Sequence, residues 1–159
     1  MKGYVLTVQK LIKAPPEAVF AILSDAGKHS LIDGSGMLRG SVQNADEQLT
    51  LGSAFGMNMK LGVRYQTESR VVEFDQNRRI AWQTGPTGTW GRYVAGRIWR
   101  YELEQMEDGT LVRESWDITA DHQRMLLKLG GIYSGKTKRD MQRTLARLDS
   151  IVAAVPDSR

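Results

Sequence analysis

Residues 97–118, RIWRYELEQMEDGTLVRESWDI, carry the clearest structural pattern in this chain. Apolar and charged residues alternate through the first half, and the apolar residues of the second half share their parity with Glu114. A period of two is typical of a β-strand that buries one face. Asp108-Gly109, between the halves, is typical of a tight hairpin turn. We therefore predict a β-hairpin whose apolar face consists of Trp99, Tyr101, Leu103, Val112, Trp116 and Ile118.

A second pattern, near the end of the sequence, has helical spacing. Apolar residues recur there every three to four positions, which places them on one face of an α-helix. Ser134 is a candidate N-cap for this helix, which we predict to end near Ala154. An amphipathic helix of this length needs an apolar surface to cover, and the predicted sheet is the only large one. The apolar stripe consists of Met141, Leu145, Leu148 and Val152.

The rest of the sequence predicts consecutive strands with few helices. Short runs rich in β-branched and aromatic residues are separated by turn signals, which favours one antiparallel meander. We predict strands over residues 4–13, 37–43, 54–61, 64–74, 78–84, 96–106 and 110–118. We predict short helices over residues 16–23, 26–31 and 121–129. The fold class is therefore α+β, with about seven antiparallel strands, two short helices after the first strand and a long C-terminal helix.

The composition is that of an ordinary globular domain. Of the 159 residues, 41% are hydrophobic and 25% charged, which suits a single domain over residues 1–159. The net charge of +4 is spread along the sequence, whereas nucleic-acid binders concentrate Lys and Arg on one face. We therefore expect no nucleic-acid partner.

Cysteine usage and hydropathy bear on the compartment. There is no Cys, so disulfides are excluded and a reducing compartment fits. The N-terminal residues contain no secretory apolar core, and no stretch approaches the ~20 apolar residues of a membrane span. We expect a cytoplasmic protein without stable membrane insertion.

Seven motifs along the chain form a series. They are IKAPPEAVF at residues 12–20, DGSG at 33–36, FGMNMK at 55–60, VVEF and RIAW at 71–74 and 79–82, WRYELE at 99–104 and TLARL at 144–148. Together they resemble the START-like superfamily, also called Bet v 1-like or SRPBCC, and within it a bacterial polyketide cyclase/dehydrase branch. The resemblance implies a helix-grip fold, in which a curved sheet closes around the long helix with an apolar ligand cavity between them. The resemblance is weak evidence for any particular activity, because the superfamily contains binders, carriers and enzymes on one scaffold.

Two segments depart from the resemblance. Residues 84–95 form a longer link between strands than the family pattern suggests, and Gly130-Gly131-Ile132-Tyr133 is an unusual link between helices. We therefore do not expect the loop that borders the cavity to follow the family.

Aromatic and methionine side chains are the candidate ligand contacts. Trp and Tyr concentrate in the second half of the chain, and binding pockets are mostly apolar and aromatic. For any single one of them plain core packing is the favoured explanation, whereas the group as a whole favours a cavity lining. Methionines would adapt a cavity wall to several ligand shapes, and Met125 is included among them. The predicted ligand-binding residues are Met57, Met59, Tyr65, Trp82, Trp99, Tyr101, Trp116, Met141 and Leu145.

Glu114 is the first candidate for catalysis or ligand anchoring. If its strand face lines the cavity, the buried carboxylate has either a raised pKa or a cationic partner such as Arg97 or Arg100. Alternatively, this end of the strand is wet.

His29 and Asp33 are the second candidate, four residues apart near a helix-to-turn junction. They could act as an acid–base pair, because His titrates near neutral pH. Alternatively, Asp33 caps the turn through hydrogen bonds to its own backbone.

Other chemistries have little support. His29 and His122 are the only histidines, and no ligand spacing suggests a metal site. No dinucleotide or phosphate-loop motif suggests a cofactor. The basic cluster at residues 136–139 could meet an anionic ligand group, a membrane or RNA, but a solvated helix end is the favoured explanation.

Three functions stay open at this point. The first is binding, by sequestration or transport, of a small hydrophobic or aromatic molecule such as a lipid or polyketide. The second is a cyclase or dehydratase, a lyase or isomerase in type, that uses Glu114 or the His29/Asp33 pair. The third is a co-chaperone-like interaction domain. A homodimer is compatible with each.

Overall fold

A computed structural model describes residues 3–38, 48–87, 96–129 and 135–154, except for the side chains of Leu61, Val63 and Tyr65. The first part consists of strand β1 (Val5–Ile12), helix α1 (Pro16–Leu23), a 3-10 turn (Ala26–Lys28) and helix α2 (His29–Ile32). Five strands follow: β2 (Ala54–Leu61), β3 (Val63–Asp75), β4 (Arg79–Pro86), β5 (Arg97–Met106) and β6 (Gly109–Asp117). Helices α3 (Arg124–Leu129) and α4 (Thr137–Ala154) complete the described chain.

The six strands form one curved antiparallel sheet in the order β1-β6-β5-β4-β3-β2. From β2 to β6 each strand pairs with its neighbour in sequence, and β1 returns to pair along its full length with β6. The predicted strand over residues 37–43 is described only at its start, where an isolated bridge joins Leu38 to Met59 of β2. Residues 39–43 lie outside the described residues. The α+β helix-grip class is confirmed.

Helix α1 follows directly from its sequence. Pro15 is the N-cap and Pro16 occupies the first turn, where the missing N–H of proline costs no hydrogen bond. At the other end, the Ser24 hydroxyl donates to the carbonyl oxygen of Phe20 at 2.8 Å. Val19, Phe20 and Leu23 turn into the core, so the helix closes one end of the sheet.

The predicted alternation in β5 and β6 is confirmed. Tyr101 and Leu103 are buried while Glu104 is exposed, and Val112, Glu114 and Trp116 are buried on the paired strand. We call the face that carries these buried residues the concave face. In register across the sheet it presents Leu6, Trp116, Trp99, Trp82 and Val71 in one row, and Val8, Glu114, Tyr101 and Ile80 in the next.

The predicted stripe of α4 is confirmed as well. Met141, Leu145, Leu148 and Val152 are buried, and α4 packs against β1, β6, α1 and α2. The helix begins at Thr137, and the proposed cap Ser134 lies outside the described residues. The predicted helix over residues 121–129 is wrong at its start: α3 begins at Arg124, because Asp121 Oδ1 accepts from the Gln123 N–H at 2.6 Å and closes a turn there.

The DGSG turn meets α4 at very close range. A Cβ built on Gly34 would lie 2.1 Å from the Asp140 carbonyl oxygen and 2.5 Å from the Thr144 nitrogen, so no side chain fits there. The Gly34 N–H donates to the Thr144 hydroxyl at 3.0 Å, and the Arg147 guanidinium donates to the Asp33 carbonyl oxygen. These contacts fix the turn to the helix.

Candidate functional site

The centre of the concave face holds a carboxyl group in an apolar setting. Glu114 on β6 and Tyr101 on β5 are directly paired in register. The Tyr101 hydroxyl donates to Glu114 Oε1 at 3.0 Å. Glu114 Oε2 is buried and has no hydrogen-bond partner within the described part of the chain. One carboxyl oxygen is therefore available to a further group.

Burial governs the protonation of this pair. Glu114 is 2% exposed, and desolvation of its charged form raises its pKa from 4.5 to about 8, with a smaller contribution from the negative charge of Asp33. The Tyr101 hydrogen bond opposes this shift. Burial and the neighbouring carboxyl group raise the pKa of Tyr101 well above 10. Near neutral pH, Glu114 is therefore mainly a neutral acid that can donate a hydrogen bond through Oε2.

The cationic partners predicted for Glu114 are wrong. Arg97 Nε bonds Asp121 Oδ2 at 2.6 Å, beyond the end of β6. Arg100 has the opposite strand parity and bonds Glu73 Oε1 at 2.6 Å on the other face of the sheet. The alternative that this end of the strand is exposed to solvent is wrong too, because Glu114 is buried. Of the predicted options, only the raised pKa is confirmed.

His29 lies under the concave face rather than in solvent. Its ring stacks on Trp82 with centroids 4.7 Å apart and meets the edge of Phe55 at 5.2 Å. Nε2 lies 2.8 Å from the carbonyl oxygen of Leu23. Burial lowers the pKa of His29 below 6.5, against the opposing effects of the Leu23 bond and the Asp25 charge. The imidazole is therefore neutral near pH 7, with Nε2–H donating to Leu23.

Asp33 holds the DGSG turn together, so the turn-capping alternative is confirmed. Its Oδ1 accepts from the backbone N–H and the hydroxyl of Ser35, and its Oδ2 accepts from the N–H of Leu38 at 2.9 Å. In the residues that the structure describes, the side chains of His29 and Asp33 engage these separate partners and not each other. Their use as an acid–base pair stays a prediction.

The predicted ligand-binding residues mostly gather on the concave face and α4. Trp99 stacks on Trp116 with centroids 5.5 Å apart, and Trp82 lies 5.4 Å from Tyr101. These rings form a continuous aromatic surface across β4, β5 and β6. Buried members of the predicted set are Met57, Trp82, Tyr101, Trp116, Met141 and Leu145, and partly buried members are Met59 and Trp99.

The structure does not place the other predicted residues and links on the concave face. The side chain of Tyr65 lies outside the described residues, although its backbone pairs with Met59. Met125 is wrong as a wall residue, because its side chain is exposed on α3. The distinctive links are described only up to Thr87, from Gly96 to Leu129 and again from Gly135, so most of residues 84–95 and all of 130–133 lie outside the described part.

A strip of hydroxyl groups on the concave face escaped the sequence reasoning. Ser69 and Thr84, paired between β3 and β4, lie with their hydroxyl oxygens 2.8 Å apart. Thr67 Oγ1, on the same face and next to Met57 in register, is buried without a hydrogen-bond partner in the described part of the chain. The signal was present, because Thr67, Ser69 and Val71 alternate with Glu68 and Arg70 in the sequence.

Two searches of the described residues bear on other kinds of site. Within residues 3–38, 48–87, 96–129 and 135–154, no group of three or more His, Cys, Asp or Glu side chains could hold a metal ion. None of the helices there combines the length and hydropathy needed to cross a membrane.

Comparison with known proteins gives relatives of both sequence and fold. The chain is 33% identical over 111 residues to the uncharacterized protein Rv0088 of Mycobacterium tuberculosis; the match covers 69% of this chain and 45% of the relative. The chain thus spans less than half the length of that curated relative. Among solved structures, a protein from Rhodobacter sphaeroides matches with a TM-score of 0.72 at 15% identity, over 96% of this chain and 93% of that one.

A second solved structure, DynU16, is described as a protein of the dynemicin biosynthetic locus. It matches with a TM-score of 0.59 at 13% identity, over 96% of this chain and 48% of its own. At these identities the likeness shows the fold alone. The family profile described as "Polyketide cyclase / dehydrase and lipid transport" matches residues 5–153. Because that match spans almost the entire sequence, the chain belongs to the polyketide cyclase / dehydrase and lipid transport family.

Proposed function

We propose that this protein binds a small hydrophobic molecule against the concave face and that Glu114, in its protonated form, donates a hydrogen bond to it. The carrying observation is Glu114 Oε2, a buried polar atom with no hydrogen-bond partner within the described residues. Leaving such a group unpaired costs about 1–3 kcal/mol. A carbonyl or hydroxyl oxygen of a ligand would recover that cost.

The surroundings of Glu114 favour a flat or greasy ligand. The stacked rings of Trp99 and Trp116 flank it on one side along the strands, and Tyr101 pairs with it directly. Removing apolar surface from water stabilises a complex by roughly 25 cal/mol per Å². The polar contact would then set the orientation of the ligand while the aromatic surface supplies most of the affinity.

The charge state of Glu114 limits the class of ligand that it can bind. A neutral acid donates to an acceptor such as a ketone or quinone oxygen, whereas an ionised carboxylate would repel one. The family to which the chain belongs is named for polyketides and lipids, and both carry carbonyl or hydroxyl oxygens on apolar skeletons. We therefore favour a neutral, carbonyl-bearing polyketide-like or lipid-like molecule.

The test uses 1,8-dihydroxyanthraquinone as a probe, with binding followed by quenching of tryptophan fluorescence. Glu114→Leu is expected to weaken binding about 2- to 10-fold, the value of one hydrogen bond. Glu114→Gln, which keeps a donor, is expected to bind like the unmodified protein. The matched control is Glu104→Leu, because Glu104 is exposed on the opposite face of the same sheet. Equal loss in Glu104→Leu and Glu114→Leu, or no binding by the unmodified protein, would contradict the proposal.

The protonation of Glu114 also favours a second function, acid–base catalysis. A group with a pKa of about 8 holds a proton near neutral pH and can still release it, which is what a general acid requires. Oε2 would protonate a carbonyl oxygen while the aromatic surface holds a polyketone chain in a folded shape. If this holds, Glu114→Gln retains binding of a synthetic linear β-polyketone but loses its cyclisation, followed by chromatography of the products. Unchanged product formation would exclude the catalytic role.

A further inference from the structure

The short helix α3 exposes a concentrated apolar surface. Met125, Leu126 and Leu129 are 63%, 73% and 80% exposed. The other exposed large apolar side chains in the described part of the chain are scattered singly over other elements, and scattered single residues are normal on a protein surface. Three of them within one six-residue helix are not. We call Met125, Leu126 and Leu129 the α3 patch.

The α3 patch points outward because the rest of α3 is held against the body of the protein. Leu127 packs against the core. Arg124 and Lys128 lie over the Tyr4 ring, 5.6 Å and 4.8 Å from its centroid, and the Arg124 guanidinium donates to the carbonyl oxygen of Thr119 at 2.9 Å. At 100° per residue, the α3 patch lies opposite Leu127, and both cations flank it on one side.

The two charged residues of α3 itself, Arg124 and Lys128, are both cations. Residues 122–129 and 135–139 contain five Lys and Arg and no Asp or Glu. Gly135 follows Leu129 by six residues, so the two stretches lie within roughly 20 Å of each other. Lys136 is paired with Asp140 at 2.6 Å, while Lys138 and Arg139 are exposed. An apolar surface with cations along its flank is the arrangement of an interfacial helix on anionic lipid.

We propose that the α3 patch attaches the protein reversibly to an anionic lipid surface. Three side chains offer much less area than the roughly 800 Å² per partner of a stable protein interface, which argues against a second copy or another protein. Arg124 and Lys128, on the flank of α3, would lie at the level of the phosphate groups while the α3 patch enters the upper part of the acyl region. A helix of this length lies at the interface and does not span the bilayer.

The test is co-sedimentation of the full chain with vesicles of phosphatidylcholine alone or mixed with phosphatidylglycerol. The unmodified protein is expected to bind only the mixed vesicles and to be released by added salt, since salt screens the attraction. Lys128→Gln is expected to weaken partitioning about fivefold, equivalent to one cation near the surface. The double variant Leu126→Gln with Leu129→Gln is expected to weaken it more than tenfold.

Two control variants carry the same changes elsewhere on the surface. Leu51→Gln removes a side chain that is 66% exposed on another part of the chain, and Lys13→Gln removes an exposed cation near the end of β1. Both are expected to bind like the unmodified protein, and circular dichroism verifies that every variant is folded. Absence of vesicle binding, equal binding to both vesicle types, or equal loss in the controls would overturn the proposal. The proposal would also be overturned if analytical ultracentrifugation showed a dimer of the unmodified protein that becomes a monomer in the double leucine variant.

Discussion

Glu114 and Glu73 are glutamates on opposite faces of one sheet, and their surroundings shift their pKa values in opposite directions. Glu73 accepts a bidentate bond from Arg100, at 2.9 Å from Nε and 2.6 Å from Nη2. This hydrogen bond lowers the pKa of Glu73 below 4.5, against partial desolvation. Glu114 faces aromatic rings and a tyrosine hydroxyl, and burial raises its pKa to about 8.

The difference distinguishes a carboxylate that stabilises the sheet from a carboxyl group that can take part in binding or catalysis. A bidentate arginine pair satisfies both oxygens of Glu73 and keeps it ionised, so Glu73 ties β3 to β5. Glu114 has one oxygen satisfied and a proton that it can share. Buried groups with perturbed pKa values cluster at functional sites. Four substitutions test whether burial and arginine pairing set the two pKa values.

The largest effect is expected from Glu114→Gln on the pH dependence of stability. Between pH 4.5 and 8 the native state holds the Glu114 proton and the unfolded state does not, so stability is full below pH 4.5 and falls as pH rises to about 8. The loss is about 1.4 kcal/mol per unit of pKa difference, several kcal/mol in total at most. Glu114→Gln is expected to abolish this decline, as measured by urea unfolding across the range. An unchanged slope would show that Glu114 titrates normally.

Glu73→Gln is the matched control for that experiment. Because its pKa is lowered, Glu73 contributes stability above pH 4.5 that is lost as pH falls through its native value. Its replacement is therefore expected to alter only the acidic limb of the stability profile and to leave the decline between pH 4.5 and 8 in place.

A smaller effect is expected from Tyr101→Phe. The variant removes the hydroxyl that bonds Glu114 Oε1. Because Oε2 already lacks a hydrogen-bond partner within the described residues, both carboxyl oxygens are then unpaired there. We expect a loss of about 1–3 kcal/mol in the free energy of unfolding. The apparent pKa of Glu114 should rise further, because this bond lowers it. If Tyr101→Phe is equally costly in the Glu114→Leu background, where no acceptor for the Tyr101 hydroxyl remains at that position, the two side chains are not coupled.

The smallest effect is expected from Arg100→Gln. Arg100 and Glu73 are partly exposed, so solvent screens their attraction and the loss should be about 1 kcal/mol. The pKa of Glu73 should return toward 4.5, measurable by carboxyl NMR titration, while that of Glu114 stays where it is. A shift in the pKa of Glu114 would mean that the two faces are electrically coupled.

The sequence predicted the faces of this sheet well, because alternation is a local property. Trp99, Tyr101 and Leu103 alternate with charged residues, and the structure places them as that pattern requires. The helical stripe of α4 was equally local. The parity of Glu114 with Val112 and Trp116 placed it on their face, but the sequence left open whether that end of the strand is wet, and the structure buries it.

What escaped prediction depended on contacts between distant parts of the chain. Arg97 has a parity that suits Glu114, but Asp121 lies closer to its end of the strand. The stacking of His29 on Trp82 joins residues far apart in sequence, and no periodicity encodes it. Thr67 alternates with charged neighbours as a buried strand residue does, but that local pattern does not show that its hydroxyl lacks a hydrogen-bond partner within the described residues.

The pairing of β1 with β6 also means that the first strand must wait for the last one during synthesis. Thr7 and Ser115 lie 108 residues apart in sequence with their hydroxyl oxygens 3.0 Å apart. A ribosome that adds ~5–20 residues per second needs roughly 5 to 20 s to bridge that gap. During this interval Leu6, Val8 and Ile12 have no strand beside them, although each is buried in the finished protein. The nascent β1 segment thus waits for the last strand of the sheet before its apolar side chains can be buried beside a partner strand.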